Sequence, residues 1–434
     1  MDLINIGLFL LLVLAILLGT GVWISVSLLA LGWIAIEVFT SVPTLKAVGS
    51  SVWGSSASWT LAALPLFIWM GEILFRTKLS ENMFRGLAPW VGWLPGRLLH
   101  VNVLGCGVFA AVSGSSAATV ATIGKMTLPE LRKRGYDERL SIGSLAGSGT
   151  LGLLIPPSII MIVYAVAAEV SLIRLFIAGV LPGLMLIALF SGYLLIVGWL
   201  RPEVAPAREA AMSLGQKLRA SLQLFPVLVL IAGVIGSIYF GIATATEAAA
   251  MGVIGALLLA ALTGSLSWRT FSDSLMGATR LSCMIAFILA GAAFLTTAMA
   301  YTGIPQALAA WVGAMDLNRY VLIAALCLLY IIMGCFIDGI SLIVLTTSIV
   351  LPLVTAAGFD LIWFGIFIIF VVEMAQITPP LGFNLFVIQG MTGQNIFTVA
   401  RAAIPFFCLM VVAVALITIF PEIATWLPST MTRR

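Results

Sequence analysis

The chain has 434 residues, of which 62% are hydrophobic and 9% are charged, with a net charge of +4. Soluble domains carry roughly 25% charged residues, so this composition excludes a soluble globular protein and gives no indication of nucleic-acid binding. Apolar runs of about 20 residues, the length that crosses a bilayer, recur from end to end. The composition therefore predicts an all-α polytopic membrane protein.

In chain order, the first elements are three membrane spans, predicted over about 4–18, 20–40 and 58–76. The N-terminal apolar run opens with Asp2 and has no basic region before it, so we interpret it as a span and not as a secretory leader. An amphipathic segment containing Arg85 and Arg97 is then expected on the cytoplasmic surface.

The next elements are predicted to be irregular. Residues 98–124 could cross a bilayer, but both ends are basic and SGSSA lies at their middle, so we predict a re-entrant hairpin. A broken helix over 140–168 runs outward, and a span over 173–200 returns to a basic surface helix between Arg201 and Arg219.

An internal repeat predicts the second half. Four proline pairs are each separated by 223 residues: Pro129 and Pro352, Pro156 and Pro379, Pro157 and Pro380, Pro182 and Pro405. The chain is therefore predicted to contain two copies of one unit, roughly residues 1–200 and 224–427.

The charge of one pair of equivalent loops predicts the relative orientation of the copies. The loop from Lys125 to Arg139 carries five basic residues, whereas its counterpart from Ser348 to Ile362 carries none. Basic loops stay in the cytoplasm, so the two loops are expected on opposite sides and the repeats are inverted. This threading leaves Arg433 and Arg434 outside the cytoplasm, against the usual charge rule.

Two apolar helices are interrupted inside their apolar segments, where lipid offers no hydrogen-bond partner to the freed carbonyls. The interruptions lie at GTLGLLIPPSII (149–160) and at AQITPPLGFNLF (375–386). Proline forbids a continuous helix, and irregular backbone at membrane depth is tolerated only where it lines a cavity or is buried in protein. Freed carbonyls suit Na⁺, and helix N-termini suit an anion. The segments VSGSSAAT and GCFIDGIS are the expected tips of the two hairpins. Together with the breaks, they predict two pseudo-symmetric cation sites. The alternatives are a plain proline kink at each break and close Gly/Ser helix packing at each tip.

Four segments are similar to signature segments of the large membrane subunit of tripartite ATP-independent periplasmic (TRAP) transporters: SGSSAATVATIG, GSGTLGLLIPPSIIMIVYA, FIDGISLIVLTTSIVLPL and ITPPLGFNLFVIQG. The resemblance covers essentially the whole chain. It implies an elevator-type importer, like those of the ion transporter superfamily, that moves an organic acid with Na⁺ in a bacterial inner membrane. The implied partners are a small four-helix membrane subunit on a separate chain and a periplasmic substrate-binding protein.

The resemblance also implies the binding residues, with two or more transported Na⁺ ions held largely by backbone carbonyls. One Na⁺ site would use Ser113, Ser116, Gly152, Ile155 and Pro157. The other, by the 223-residue shift, would use Phe336, Gly339, Ala375, Thr378 and Pro380. The substrate would lie between the tips, near Ser115, Asp338, Thr378 and Asn384.

The intramembrane carboxylates are further functional candidates. Asp338 is predicted to shape the second tip or its cation site, with a helix cap as the alternative. Glu373 is expected either to tune the second Na⁺ site or to pair with a neighbouring polar group. Glu72 and Arg76 have the spacing of a helical ion pair, and Glu247 has no assigned role.

Two alternative functions are a stand-alone symporter and an intramembrane enzyme. A stand-alone Na⁺/anion symporter of related architecture would need no binding protein. An intramembrane enzyme is disfavoured, because His100 is the only histidine and no lysine falls at the middle of a predicted span. The five cysteines lack C-x-x-C spacing and are predicted to be small core hydrophobes.

The resulting division of the chain alternates scaffold and transport segments. Scaffold helices and an amphipathic arm occupy 1–97 and 224–320. The two halves of a transport domain, each a hairpin with a broken helix, occupy 98–168 and 321–391. A return helix and basic cytoplasmic linker occupy 169–223, and a final helix and C-terminus occupy 392–434.

Overall fold

The computed structural model describes residues 3–77, 86–206, 212–222, 224–315, 318–380 and 382–431. Every regular element within these ranges is a helix. By length and apolar composition, five of the described helices could cross a membrane, or up to eight if each of three bent pairs is one span. The predicted all-helical, multi-pass architecture is confirmed.

The first half of the chain forms a helical stretch over residues 86–91 and ten further helices in the described ranges. The ten are α1 (Leu3–Gly19), α2 (Ile24–Phe39), α3 (Thr44–Ser56), α4 (Trp59–Phe75), α5 (Leu99–Ser113), α6 (Ser116–Lys133), α7 (Glu138–Gly149), α8 (Leu151–Leu154), α9 (Ile159–Ala167) and α10 (Leu172–Leu200). A single turn of 3₁₀ helix follows over Pro202–Val204.

The remaining described residues form a second series of helices. They are α11 (Leu214–Ser221), α12 (Phe225–Tyr239), α13 (Ala245–Leu262), α14 (Trp268–Thr302), α15 (Ile304–Ala314), α16 (Arg319–Gly334), α17 (Gly339–Ala356), α18 (Leu361–Gln376), α19 (Phe383–Thr392), α20 (Ile396–Ile419) and α21 (Glu422–Ser429).

Local geometry recurs at the spacing of the proline pairs. Helices α6 and α17 each have 18 residues, and their first residues lie 223 positions apart. Asp137 caps α7 by accepting from the Leu140 N–H, and Asp360 caps α18 by accepting from the Ile362 and Trp363 N–H groups. The glycines that precede these caps, Gly135 and Gly358, have φ of 78° and 77°. Only glycine adopts this backbone region without strain.

Two elements differ from the predicted pattern. Helix α3, which was not predicted, precedes α4 at a bend of 54°. Its sequence TLKAVGSSVWGSS is too polar to stand out as a span. In the second half, α14 is one continuous helix of 35 residues where the first half has the bent pair α3 and α4.

The segment predicted as a re-entrant hairpin forms a helical hairpin of α5, a tip at Gly114–Ser115, and α6, which continues beyond residue 124 to Lys133. The predicted broken helix is α7 to α9, with a bend of 44° at residues 155–158. The linker predicted as a basic surface helix is helical over α11, whose Ser213 and Gln216 form a capping box. Arg85, residues 207–211, Arg433 and Arg434 lie outside the described residues.

The cysteine prediction is correct for two residues and wrong for two. Cys106 and Cys335 are buried, Cys327 is half-buried, and Cys283 and Cys408 are exposed on α14 and α20. Cys283 and Cys408 can be exposed on the helix surface because lipid tails are as apolar as the protein core. An apolar sequence context therefore does not separate residues facing the core from residues facing the bilayer.

One group of helices and one deeply buried helix make up much of the interior packing. Helices α2, α4, α13 and α14 pack on one another, and Gly32 of α2 allows the ring of Phe294 to approach closely. Helix α18 is buried along almost its whole length, from Ile362 to Ala375. It packs against α10, α16, α17 and α20. The second break begins at its C-terminal end, where Ile377 is buried, Thr378 is half-buried and Pro380 is exposed.

Candidate substrate and cation site

The first hairpin tip and the first helix break are in direct backbone contact. The Ile159 N–H, at the start of α9, donates a 3.4 Å hydrogen bond to the Gly114 carbonyl. A Cβ added to Gly152 would lie 2.5 Å from Ser116 Cα and 2.6 Å from the Ser115 carbonyl oxygen. The absence of a side chain at Gly152 therefore allows the break to approach the tip.

The first tip is held in shape by its own hydroxyl groups. The Ser113 and Thr119 hydroxyls are 2.8 Å apart, and the Ser113 hydroxyl accepts from the Ser115 N–H at 3.3 Å. The Thr119 hydroxyl donates to the Ser115 carbonyl at 2.8 Å. The structure thus brings together Ser113, Ser115, Ser116 and Gly152, and their roles in binding Na⁺ and substrate stay predictions.

The second tip contacts the second break in a corresponding way. A Cβ on Gly334 would lie 2.5 Å from Ala375 Cβ, and the Cys335 thiol is 3.4 Å from the Pro379 carbonyl oxygen. A Cβ on Gly382 would lie 2.8 Å from the carbonyl oxygens of both Gln376 and Thr378. Two carbonyl oxygens therefore converge on one side of this break.

A cavity of about 410 Å³ lies between the two tips. Its walls include residues of both tips, residues beside both breaks, and Leu281 of α14. The described lining residues are Ser115, Ser116, Ala117, Leu153, Ile159, Leu281, Gly334, Phe336, Ile337, Asp338, Gly339, Ile340, Gln376, Phe383 and Phe386. Ser115 and Asp338, both predicted to bind substrate, share this cavity, whereas Thr378 and Asn384 are not among its described lining residues.

Four helices begin at this cavity. Ser116, Gly339, Ile159 and Phe383 are the first residues of α6, α17, α9 and α19, and each lines the cavity. Ser115 and Asp338 cap α6 and α17 with their side chains. Helices α9 and α19 have no side-chain cap. Backbone carbonyls accept some of their first-turn N–H groups, including Ile159 N–H at Gly114, so only the remaining N–H groups are open to a ligand.

Asn384 lies behind the cavity, against the first broken helix. Its side chain is fully buried, and neither the amide oxygen nor the amide nitrogen has a hydrogen-bond partner among the described residues. A Cβ on Gly149 would be 3.7 Å from the Asn384 amide nitrogen. Buried amides without partners are unfavourable, so this side chain is a strong candidate for contact with a bound ligand.

Three of the carboxylates named above have defined contacts in the structure. Asp338 caps α17, with its Oδ2 accepting from the Ser341 N–H at 3.1 Å, and it also lines the cavity. Arg76 Nη2 lies 3.0 Å from Glu72 Oε2, which confirms the predicted ion pair. Glu247, which had no assigned role, forms a capping box with Thr244 at the start of α13.

Glu373 pairs with a polar group, but at the first tip and not at the second. Its Oε1 accepts a hydrogen bond from the Ser116 hydroxyl of α6. The contact joins residues 257 positions apart, and no local sequence signal predicts it.

The sequence interpretation missed Gln376, Phe383 and Phe386 as cavity residues. All three lie in the segment AQITPPLGFNLF, so the signal was present, but hydropathy alone treats the two phenylalanines as ordinary membrane residues.

A second cavity, of about 540 Å³, lies between α3, α14 and the end of α9. Its lining is rich in hydroxyl groups, among them Ser51, Ser55 and Thr297. Among the described residues, no group of three or more His, Cys, Asp or Glu side chains is placed to hold a metal ion.

Broken helices whose ends meet at a cavity between the two halves of the chain are characteristic of secondary transporters. By its fold and this cavity, the protein is a multi-pass membrane transporter. Residues 11–423 match the family described as "Tripartite ATP-independent periplasmic transporter, DctM component". The chain therefore belongs to the DctM family, the large permease subunits of TRAP transporters, which are not enzymes, and the predicted resemblance is confirmed.

Comparison with individual proteins agrees with this family. The chain is 34% identical over 430 residues to "C4-dicarboxylate TRAP transporter large permease protein DctM" of Rhodobacter capsulatus, covering 95% of this chain and 96% of the relative. It is 32% identical over 375 residues to "Ectoine TRAP transporter large permease protein TeaC" of Halomonas elongata, covering 85% and 86%. The solved YdaH transporter of Alcanivorax borkumensis has a similar fold, with a TM-score of 0.65 at 12% identity, covering 93% and 96%.

Proposed function

We propose that this chain imports an organic acid across a bacterial inner membrane, driven by Na⁺. It would act with a small four-helix membrane subunit and a periplasmic binding protein that delivers the substrate, since TRAP large permeases work with such partners. Membership of the DctM family supports this proposal. The relative from Rhodobacter capsulatus is named for C4-dicarboxylates, which makes a dicarboxylate the first substrate to test.

The observation that carries the proposal is the convergence of four helix N-termini on the cavity between the tips. Helix N-termini present N–H donors and a partial positive charge, so they favour an anionic ligand. Helices α9 and α19 have no side-chain cap, and a substrate carboxylate would accept from the first-turn N–H groups that backbone carbonyls leave unpaired. The cavity volume of about 410 Å³ lies within the usual range for small-molecule sites, about 300–1,000 Å³.

Sodium coupling is supported by the oxygen atoms at the breaks. Hard cations prefer oxygen ligands, and the Gln376 and Thr378 carbonyl oxygens converge beside Gly382. In the first half, the Ser115 carbonyl oxygen lies at the contact between the tip and Gly152. We retain the two predicted ligand sets at these breaks as proposed Na⁺ sites, and Ser115, Asp338, Thr378 and Asn384 as proposed substrate residues.

We also infer that the two halves are inverted repeats. The recurrence of caps and turns at a spacing of 223 residues supports the repeat. The basic loop from Lys125 to Arg139 and its uncharged counterpart support the inversion. Residues 98–168 and 321–391 would move together as the transport domain against a scaffold that contains α2, α4, α13 and α14.

Uptake into proteoliposomes tests the coupling directly. The chain is reconstituted with its small subunit, and uptake of a radiolabelled C4-dicarboxylate is measured with and without a Na⁺ gradient and with and without the binding protein. We expect uptake only when both are present. Uptake with Na⁺ but without the binding protein would indicate a stand-alone symporter, and uptake indifferent to Na⁺ would refute sodium coupling.

Accessibility of a single cysteine tests the elevator movement. In a cysteine-free background, Ser115→Cys places a thiol at the first tip, and membrane-impermeant maleimide is applied from each side. We expect the reactive side to change with Na⁺ and substrate, because the tip would travel across the membrane. The matched position Trp199→Cys, exposed at the end of α10, should react from one side throughout. Labelling of Ser115→Cys from one side under all conditions would contradict the elevator.

A further inference from the structure

Glu373 is a buried carboxyl group that reaches across from the second half of the chain to the first. It lies on α18, its residue is 1% exposed, and its Oε1 accepts from the Ser116 hydroxyl. Its Oε2 is buried and has no hydrogen-bond partner among the described residues. The ion pairs within the described ranges join other groups, such as Glu72 with Arg76 and Glu130 with Arg134.

A buried carboxylate without a cation is unfavourable, because burial removes its hydration and hydrogen bonds from the Ser116 hydroxyl and the Leu153 backbone replace only part of it. The groups around Glu373 are those of the first tip and the first break. Ser116 packs against Gly152, and the backbone amide of Leu153 lies beside the carboxyl group. The free oxygen Oε2 is therefore held where the tip, the break and α18 meet.

The mirrored position in the other half has no such group. By the 223-residue shift, Thr150 corresponds to Glu373 and Gly339 corresponds to Ser116. The Thr150 hydroxyl already donates to the Gly147 carbonyl at 2.6 Å. Gly339 has no side chain, and a Cβ there would lie 2.4 Å from Val372 Cγ1. Neither the carboxylate nor its hydroxyl partner is repeated, so the two proposed cation sites differ in chemistry.

We propose that Glu373 is a ligand of the first cation site and supplies Oε2 to a bound Na⁺. This inference rests on the proposed sodium coupling and extends it. The first site is then built from both halves of the chain and carries a formal negative charge, whereas the second site binds its ion with neutral oxygens. An ion at the first site ties α18 to the first hairpin, so its binding stabilises the contact between the two halves.

The experiment measures the Na⁺ dependence of thermal unfolding for the full chain in lipid nanodiscs, with K⁺ at equal ionic strength as the reference. Binding of an ion to the folded state raises Tm with ion concentration. We expect Glu373→Gln to raise the apparent Kd for Na⁺ by about tenfold or more, which corresponds to about 1.4 kcal/mol. Glu373→Asp, which keeps the charge, should restore part of the affinity. Glu72→Gln, a membrane carboxylate paired with Arg76, is the matched control and should leave the Na⁺ dependence unchanged.

A second variant and a measurement of bound ²²Na⁺ keep the test decisive if Glu373→Gln does not fold. Ser116→Ala removes the hydroxyl that holds the carboxyl group, and we expect it to weaken Na⁺ binding in the same direction. Equilibrium binding of ²²Na⁺ should then fall for Ser116→Ala at a concentration that saturates the unaltered chain. Wild-type Na⁺ dependence in Glu373→Gln, or in Ser116→Ala when the first does not fold, would overturn this inference. If the unaltered chain shows no stabilisation by Na⁺ over K⁺, sodium coupling itself fails.

Discussion

Gly152→Ala tests the contact between the first tip and the first break. A Cβ at this position would lie 2.5 Å from Ser116 Cα and 2.6 Å from both the Ser116 nitrogen and the Ser115 oxygen. All three are backbone atoms, so no side-chain rotation can relieve the overlap. Ordinary contact begins near 3.4 Å, and the tip backbone must therefore move by about 1 Å in a close-packed interior.

The expected energy follows from this displacement. Overpacking a well-packed interior lowers the free energy of unfolding by typically about 1–3 kcal/mol. In domains of 150–250 residues, each kcal/mol lowers Tm by about 2–4 °C, so a decrease of a few degrees is expected. Binding groups must be held to within about 0.5 Å of their productive positions. A shift of the Ser115 carbonyl by twice that distance should abolish Na⁺-driven uptake.

The assay combines uptake into proteoliposomes with thermal unfolding in detergent. Gly192→Ala is the matched control, because Gly192 lies inside helix α10 and a Cβ there meets nothing within 4 Å. Alanine in a helix interior is more favourable than glycine by roughly 0.5–1 kcal/mol, so the control should be unchanged or slightly more stable. Wild-type uptake and Tm in Gly152→Ala would refute the close contact between tip and break.

Two further substitutions separate binding from stability. Asn384→Leu should abolish uptake while keeping or raising Tm, because it removes a buried amide whose two polar atoms have no partner; a lower Tm with intact uptake would contradict a role in ligand binding. Thr346→Val should lower the free energy of unfolding by about 1–3 kcal/mol, because the buried Tyr330 hydroxyl loses its 2.6 Å partner. Unfolding of the double variant Tyr330→Phe with Thr346→Val should return towards wild type, and a double variant less stable than Thr346→Val would argue against this hydrogen bond.

The proposed asymmetry between the two cation sites has a consequence for transport. A site with a formal charge that bridges both halves orders the centre of the transport domain before the substrate arrives. Ligand binding to an ordered site pays less conformational entropy. Na⁺ at the first site would therefore raise the substrate affinity, and by thermodynamic reciprocity the substrate would raise the affinity for Na⁺.

The sequence by itself determined the membrane class, most span positions and the two breaks. These features depend on interactions within about one helix turn or on mean hydropathy, which are local properties. The prolines at 156 and 379 forbid helix, Asp137 and Asp360 cap the helices that follow the tight turns, and Gly114 ends α5 in a left-handed conformation. The recurrence of prolines, tight turns and caps at a spacing of 223 residues was likewise readable, because these features depend on local residues.

Only the tertiary structure decided which distant groups meet. The Ser116–Glu373 hydrogen bond joins the two halves of the chain, and Asn384 lies against the first broken helix, outside the described lining of the cavity. The exposed positions of Cys283 and Cys408 were equally hidden. In a bilayer, apolar residues face lipid as readily as they face the core, so hydropathy gives the length of a helix but not its rotation. The rotation is set by packing against neighbouring helices, and that packing placed Glu373 at the first tip.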